Sequence, residues 1–467
     1  MCRTVVVVCS IVLSSPLAMA ASRPNMLIVL TDDQRWDAMG VVQQEQGDAA
    51  RFRWFETPNL DRLAADGTRF RNAFVVCSLC SPSRAAFLTG RYNHANGIID
   101  NKTPLPADAV TYASLLRESG YTTGYAGKWH MDGQKGQRPG FDWSASFVGQ
   151  GRYMDCPVEV NGETTPTKGW VDDVSTDYAI DFIKRQTDAK PFCLVVGYKT
   201  PHGPRTKEAV PERLRGSYAN QEIAPAVNAA ARPPYLEGNA PDAAPRPRRR
   251  QRPGDTAPSP VYFELLKGID ENVGRMLTVL EESGRRDDTI VVFTSDNGYF
   301  LGDHGVGDKR AAYDESLRIP LLISVPGGGK GRTADAMVLN VDLAPTLLDF
   351  AGVSVPDAMQ GRSLRACLEG DAPDDWRTSF FYEYYEEPPY KVPSIHAVRT
   401  ANAKLIRYPG HDDWTELFDL KADPYEMHNL IDDQAQADLR MRLQSEFDRQ
   451  AKAVGLPSNA LPESQPN

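Results

Sequence analysis

The chain has 467 residues, 41% of them hydrophobic and 24% charged, with a formal net charge of −10. That length supports one large α/β domain and a smaller unit beside it, well above the size at which a core becomes hard to bury. The acidic balance excludes long-range attraction to nucleic acid or heparin-like polyanions, so an anionic substrate has to be caught locally.

Residues 1–20 read as a secretory signal: Arg3, an apolar run over residues 5–13, and Ala18-Met19-Ala20 as a small-residue cleavage pattern. The apolar run is too short to span a bilayer, and no later stretch reaches the roughly twenty apolar residues a span needs. The expected product is exported, periplasmic or secreted, without a membrane span. Cys2 and Cys9 would leave with the signal; Cys77, Cys80, Cys156, Cys193 and Cys367 would stay. An odd set fits one chemically special cysteine, with the others free or paired in an oxidising compartment. Spacing does not say which of them pair.

Four apolar, β-branched runs follow, each ending in polar residues. Residues 26–30 lead into Thr31-Asp32-Asp33, and 122–126 into Gly127-Lys128-Trp129-His130. Residues 192–198 lead into Thr200-Pro201-His202, and 289–294 into Ser295-Asp296-Asn297. They alternate with helical patterns over 59–66, 112–118, 175–185 and 261–282. The fold class is therefore α/β, a large mostly parallel sheet sandwiched by helices. In such sheets a ligand lies beyond the carboxyl ends of the strands, where all four polar clusters fall.

Residues 224–260 are rich in Pro, Ala and Arg, including Arg246-Pro247-Arg248-Arg249-Arg250, and read as a long surface excursion of low order. After Pro356 short strands are expected at 379–385, 395–400, 403–408 and 415–420. An amphipathic helix over 434–454 carries Leu439, Leu443, Phe447 and Ala451 every four residues. This predicts a smaller C-terminal antiparallel sheet with a packing helix. The domain plan is a signal at 1–20, a catalytic unit at 21–355 and a C-terminal subdomain at 356–467.

Asp32 and Asp33 at one strand end, with Asp296 and Asn297 at another, would carry uncompensated negative charge if brought together without a cation. Oxygen donors of this kind suit calcium, or less well magnesium, rather than zinc. Cys80 opens Cys80-Ser81-Pro82-Ser83-Arg84, a C-x-P-x-R pattern in which cysteine can be oxidised to formylglycine, whose hydrated aldehyde is a nucleophile. Cys77-Ser78-Leu79-Cys80 also reads as C-x-x-C, a redox pair or half a zinc site, but no second C-x-x-C exists. Arg84, Lys128, His130, His202 and Lys309 supply positive charge for a tetrahedral anion and a proton for a leaving oxygen.

These motifs together resemble the type I, formylglycine-dependent sulfatases of the alkaline-phosphatase-like superfamily. The resemblance runs from Asn25 to Glu426 and includes the block 80–91, Gly127-Lys128-Trp129-His130, Thr200-Pro201-His202 and Ser295-Asp296-Asn297-Gly298. It implies that Asp32, Asp33, Asp296 and Asn297 bind one calcium ion together with an oxygen of formylglycine made from Cys80. Arg84 and Lys128 would hold the hydrated aldehyde, and His130 would help expel sulfate. His202 and Lys309 would bind sulfate and protonate the leaving alcohol. The extra His304, in Leu301-Gly302-Asp303-His304-Gly305, would line the substrate pocket or brace its loop.

Within the family the chain is most similar to bacterial glycan sulfatases of the N-acetylglucosamine-6-sulfatase type. The expected substrate is a sulfated glycan or small sulfate ester. The expected partner is a formylglycine-generating enzyme or an anaerobic sulfatase-maturating enzyme. The alternatives are a phosphonate monoester or phosphodiester hydrolase of the same superfamily, and a secreted glycan-binding protein with an unconverted cysteine.

Overall fold

The structure, a computed structural model, describes residues 23–237 and 259–457. The expected signal at 1–20 and the basic run at 246–250 lie outside them. Ten strands form the main sheet: β1 (Asn25–Thr31), β2 (Thr68–Phe74), β3 (Thr122–Lys128), β4 (Trp143–Phe147), β5 (Val158–Val160), β6 (Glu163–Thr165), β7 (Phe192–Gly197), β8 (Thr289–Ser295), β9 (Leu321–Ser324) and β10 (Arg332–Leu339). Their order is β10-β2-β9-β8-β1-β7-β3-β4-β5-β6. The four strands expected from apolar runs are β1, β3, β7 and β8, and they are neighbours. With β4 they make a continuous parallel block, β8-β1-β7-β3-β4. Antiparallel β9 joins this block to the parallel pair β2 and β10.

Burial on both faces explains the unbroken apolar runs. Along β1, Met26, Ile28 and Leu30 enter one core, whereas Leu27 and Val29 enter the core on the opposite face. The helix Val171–Arg185 and the helix Pro260–Glu282 cover the second face, with Ala179, Phe182, Ile183, Leu265, Ile269 and Val273 all buried there. Each such side chain taken from water contributes about 1.5–3 kcal/mol if it is of Val, Leu, Ile or Phe size.

A second sheet, β11 (Ser379–Tyr384), β12 (Ile395–Thr400), β13 (Ala403–Arg407) and β14 (Glu416–Asp419), is antiparallel throughout. The helix Ala437–Ala453 packs on it through Leu443, Phe447 and Ala451, three of the positions expected from the four-residue spacing. One continuous core joins this sheet to the main one, running from Phe74 and Val76 to Phe380 and Tyr382.

The stretch 224–260 departs from expectation at its start. Ala226 and Asn228 are buried, and the Asn228 amide donates to Glu315 Oε1 at 2.8 Å and to the Tyr425 carbonyl at 3.1 Å. Its proline content misled because proline forbids a central strand but not a packed loop. The five cysteines among the described residues are all buried and free.

Candidate active site

Strand register builds the acidic cluster. Thr31 pairs with Ser295, so Asp32 and Asp33 leave β1 beside Asp296 and Asn297 leaving β8. The chain stays tied past the strand ends: Asp296 N donates to Thr31 O and Asp32 N to Thr200 O, both at 3.0 Å. Carboxylate oxygens of Asp32, Asp33 and Asp296 lie within 4.8 Å of one another, and all three residues are buried.

Cys80 opens the helix Cys80–Thr89, and Arg84 lies one turn further on the same face. Pro82 is tolerated because the first turn has no internal partner for its missing N–H. Arg84 Nε donates to Asp296 Oδ2 at 2.8 Å, Nη2 to Asp32 Oδ2 at 3.1 Å and Nη1 to the Lys128 carbonyl at 2.8 Å. That reach depends on paired Gly127 and Gly197. A Cβ on Gly197 would stand 2.4 Å from Lys128 O and 3.2 Å from Arg84 Nη1.

Lys128, at the end of β3, donates to Asp32 Oδ2. Lys309 arrives from the loop after β8; its Nζ lies 2.6 Å from Asp33 Oδ1 and 2.8 Å from Cys80 Sγ. A ring nitrogen of His202 joins Asp32 and Cys80 in a group of ligand atoms within 4.8 Å of one another. The other expected residues are therefore gathered around Cys80 Sγ or the carboxylates beside it, except His130 and His304; the His130 ring meets Gln150, its Nε2 lying 2.9 Å from Gln150 Nε2. His304 has other neighbours: it is fully buried, stacks on Tyr313 at 3.8 Å between centroids, and its Nδ1 bonds the Ala231 carbonyl at 2.7 Å. Of its two expected roles, that placement fits bracing the loop.

The electrostatics follow from burial set against these pairs. Burial alone would raise Asp32, yet Lys128, His202, Lys309 and Arg84 bring it well below the usual carboxylate range. Asp296, buried and facing Asp32, is pushed up to about 7. Burial pushes the Cys80 thiol up to about 12, with Asp32 adding to the shift. An unmodified thiol here is protonated near neutral pH and lacks the thiolate character of a cysteine nucleophile. Burial, then Lys128, holds His202 down at about 3 and His130 well below its ordinary value.

The residues fit a hard divalent cation. Besides three carboxylates, Asn297 presents a buried Oδ1 with no hydrogen-bond partner, while its Nδ2 is committed to Asp33 Oδ1 at 2.7 Å and Gly298 O at 2.8 Å. An amide oxygen without a donor, beside three carboxylates, suits calcium or magnesium better than zinc.

Three further residues were absent from the sequence expectations. Arg205 Nη2 lies 3.6 Å from Asp33 Oδ2, with its guanidinium 3.9 Å from the Tyr299 centroid. Its signal was available, as the next cation after Thr200-Pro201-His202. Gln150 Oε1 accepts from Lys128 Nζ at 2.6 Å, and its Nε2 lies 2.9 Å from His130 Nε2. Lys199 lies buried behind Gln150.

Comparison with known proteins identifies the chain's relatives. The sulfatase family model matches residues 24–353, and that of the N-sulphoglucosamine sulphohydrolase C-terminal region matches 302–453. The chain is 34% identical to an N-acetylglucosamine-6-O-sulfatase of Bacteroides thetaiotaomicron, across 90% of this chain and 84% of that protein. It is 29% identical to an ulvan-active sulfatase of Formosa agariphila, across 93% and 82%. A solved complex with the substrate D-glucosamine-2-N,6-O-disulfate superposes with a TM-score of 0.80 at 33% identity, covering 92% of this chain and 98% of that one. The chain belongs to the sulfatase family.

Proposed function

We propose that this sulfatase hydrolyses sulfate esters on sulfated carbohydrate, using formylglycine made from Cys80 and one calcium ion held by Asp32, Asp33, Asp296 and Asn297. The observation that carries the reading is the convergence on Cys80 Sγ of Lys309 at 2.8 Å and Asp32 at 3.7 Å, with Arg84 and Lys128 bound to the same Asp32 carboxylate. The hydrated aldehyde would supply the nucleophilic oxygen, and the cation would stabilise negative charge on sulfate oxygens.

The chain's own groups divide the remaining work. Arg84 and Lys128 set the charge around the nucleophile and hold the Asp32 carboxylate ionised. Lys309, kept cationic by Asp33, is placed to hold sulfate oxygens and to give a proton to the departing alcohol. His202 must carry a proton on Nδ1, which donates to the Gly203 carbonyl at 2.8 Å; this leaves Nε2 with a lone pair that can take up a proton when sulfate adds negative charge. His130, beside Lys128, assists departure of sulfate. The carbohydrate assignment rests on the named substrates of the glucosamine-directed and ulvan-directed relatives.

Export follows from the pattern at residues 1–20, and no helix among the described residues is long and apolar enough to cross a membrane. The working division keeps a catalytic unit at 21–355 and a C-terminal subdomain at 356–467. Maturation calls for a formylglycine-generating or anaerobic maturating enzyme.

Three measurements test the reading. Fragmentation mass spectrometry of the tryptic peptide 72–84 is expected to place an aldehyde at position 80 and a thiol at Cys77; an intact thiol at Cys80 in active enzyme overturns it. Chelation is expected to remove activity and calcium to restore it better than magnesium; full turnover in metal-free enzyme refutes the cation. Matched aryl sulfate and aryl phosphonate esters separate the sulfatase from a phosphonate hydrolase, with the sulfate expected to turn over faster. N-acetylglucosamine 6-sulfate is the first sugar to assay.

A further inference from the structure

Lys199 is a buried cation that neither the carboxylate set nor the sulfate-binding set uses. It is 1% exposed. Its Nζ donates to the main-chain carbonyls of Gln150 at 3.0 Å and Gly203 at 3.2 Å, and lies 4.9 Å from the Tyr153 ring centroid. Both acceptors are neutral. Burial, followed by repulsion from Lys128, pushes the ammonium down to about 8. A desolvated cation without a contacting counter-charge weakens the fold, so its presence calls for another role.

The two carbonyls belong to two loops that carry chemistry. Gly203 follows His202, and the same Gly203 carbonyl accepts from His202 Nδ1. Tyr153 donates its hydroxyl proton to the His202 carbonyl, so the π face beneath Lys199 is tied to the same turn. The Lys199 main chain is also fixed: its N–H and that of Thr200 donate to the two Asp172 oxygens at 2.9 and 3.1 Å. On the other side Gln150 stands between Gly149 and Gly151, at φ +60° and +59°. These left-handed residues turn the Gln150 carbonyl toward Lys199 while its side chain meets Lys128 and His130.

The neighbours of that side chain fix its orientation. An ammonium only donates, so Oε1 faces Lys128 and the Nε2 hydrogens face His130 Nε2. A ring nitrogen that accepts carries no proton, so the His130 proton sits on Nδ1. One amide therefore sets both the direction of Lys128 and the tautomer of His130.

We propose that Lys199 is a positioning residue for sulfate-ester hydrolysis: it ties the Gln150 loop to the His202 turn and, through Gln150, holds Lys128 and His130 in register with Cys80. The proposal rests on the roles proposed above for Lys128, His130 and His202. Loss of such a tie acts on the transition-state arrangement more than on ground-state binding.

The test compares Lys199→Met, Gln150→Ala and the double variant, each with position 80 confirmed as converted, on 4-nitrophenyl sulfate, with a thermal melt for each. Methionine keeps the shape and removes the buried charge, so the melting temperature of Lys199→Met is expected at or above that of the parent. Its kcat is expected to fall about tenfold to a hundredfold while KM stays within about threefold. In the double variant the losses are expected not to multiply, because both residues act through one tie. Parental kcat in Lys199→Met, multiplicative losses, or a fall in melting temperature that accounts for the lost activity would each overturn the proposal. Lys128→Met and His130→Ala provide the reference. If both turn over like the parent, the underlying roles fail and the tie with them. If both are inactive while Lys199→Met is fully active, only the tie fails.

Discussion

Two groups of buried charge look alike by ligand geometry. Asp32, Asp33 and Asp296 form one trio of convergent donor atoms; His304, Glu315 and Glu426 form another, at the junction of the two sheets. The junction carries its own cation. Lys404, fully buried, places Nζ 2.7 Å from Asp314 Oδ1, 2.6 Å from Glu426 Oε1 and 2.9 Å from the Ala312 carbonyl. Arg399 adds a 2.8 Å contact to Asp314 Oδ2, and the Asn228 amide nitrogen lies 2.8 Å from Glu315 and 3.0 Å from His304 Nε2. These groups come from segments far apart in sequence and face one another. At the candidate active site the acids leave adjacent strands in register, and the cation Lys309 also reaches Cys80 Sγ. Convergence on the proposed reacting atom, rather than burial or charge, separates a proposed centre for chemistry from a fastening between the two sheets.

That separation predicts opposite responses to substitution. Cys80→Ala should lower turnover by at least about 10⁴-fold, as removal of a covalent nucleophile does, while the unfolding free energy stays within about 1.5 kcal/mol. Sulfate release and a urea melt measure the two. A loss of several kcal/mol would mean that Cys80 also holds the fold, and the contrast would blur. Lys404→Met should do the reverse. It strands Glu426 and leaves Asp314 with Arg399 alone in a buried junction, at a cost of about 3–5 kcal/mol, while kcat of the folded fraction stays within about threefold. Lost turnover at parental stability would move the junction into the catalytic machinery.

Much of this arrangement was legible because parallel strands buried on both faces leave an unmistakable apolar run. β1, β3, β7 and β8 are such strands, and the polar residues after them needed only the sheet to bring them together. The helix Tyr112–Glu118 has the expected bounds, with Thr111 accepting from Ser114 N at 3.0 Å as its cap. β2 did not stand out because its TRFRNAF sequence carries Arg69 and Arg71, whose charges are met by distant Glu45. β4, with the sequence WSASF, is short and mixed in character, so the loop after it could not be placed at the carboxyl edge. Gln150 was missed for that reason, and Lys199 because a lysine bound to two carbonyls has no pattern in sequence. The junction is illegible for another reason: no shared strand end announces its partners, such as the Asn228 amide with His304 Nε2 or the Asp314 backbone N–H that donates to Glu426 Oε2.

The smallest effect expected is a pH-dependent one, and it tests whether the junction is fastened by neutral as well as charged groups. Burial pushes Glu416 up to about 7 from 4.5, even though the Tyr408 and Tyr313 hydroxyls donate to its carboxylate at 2.6 and 2.8 Å. A carboxyl whose folded pKa lies above its unfolded value keeps its proton longer in the folded state. Its contribution is therefore most favourable below pH 4.5 and is lost as pH rises toward 7. Glu416→Gln removes that titration and keeps an acceptor for one tyrosine. From pH 5 to pH 8 the stability of the variant relative to the parent should shift in its favour by on the order of 2 kcal/mol. Paired urea melts at the two pH values measure it, with Lys404 and Asp314 unchanged. A difference that stays flat across this window would mean that Glu416 is ionised in the folded protein throughout, with the two hydroxyls outweighing burial. The junction would then be held by charge alone, which is the property that first made it resemble the active site.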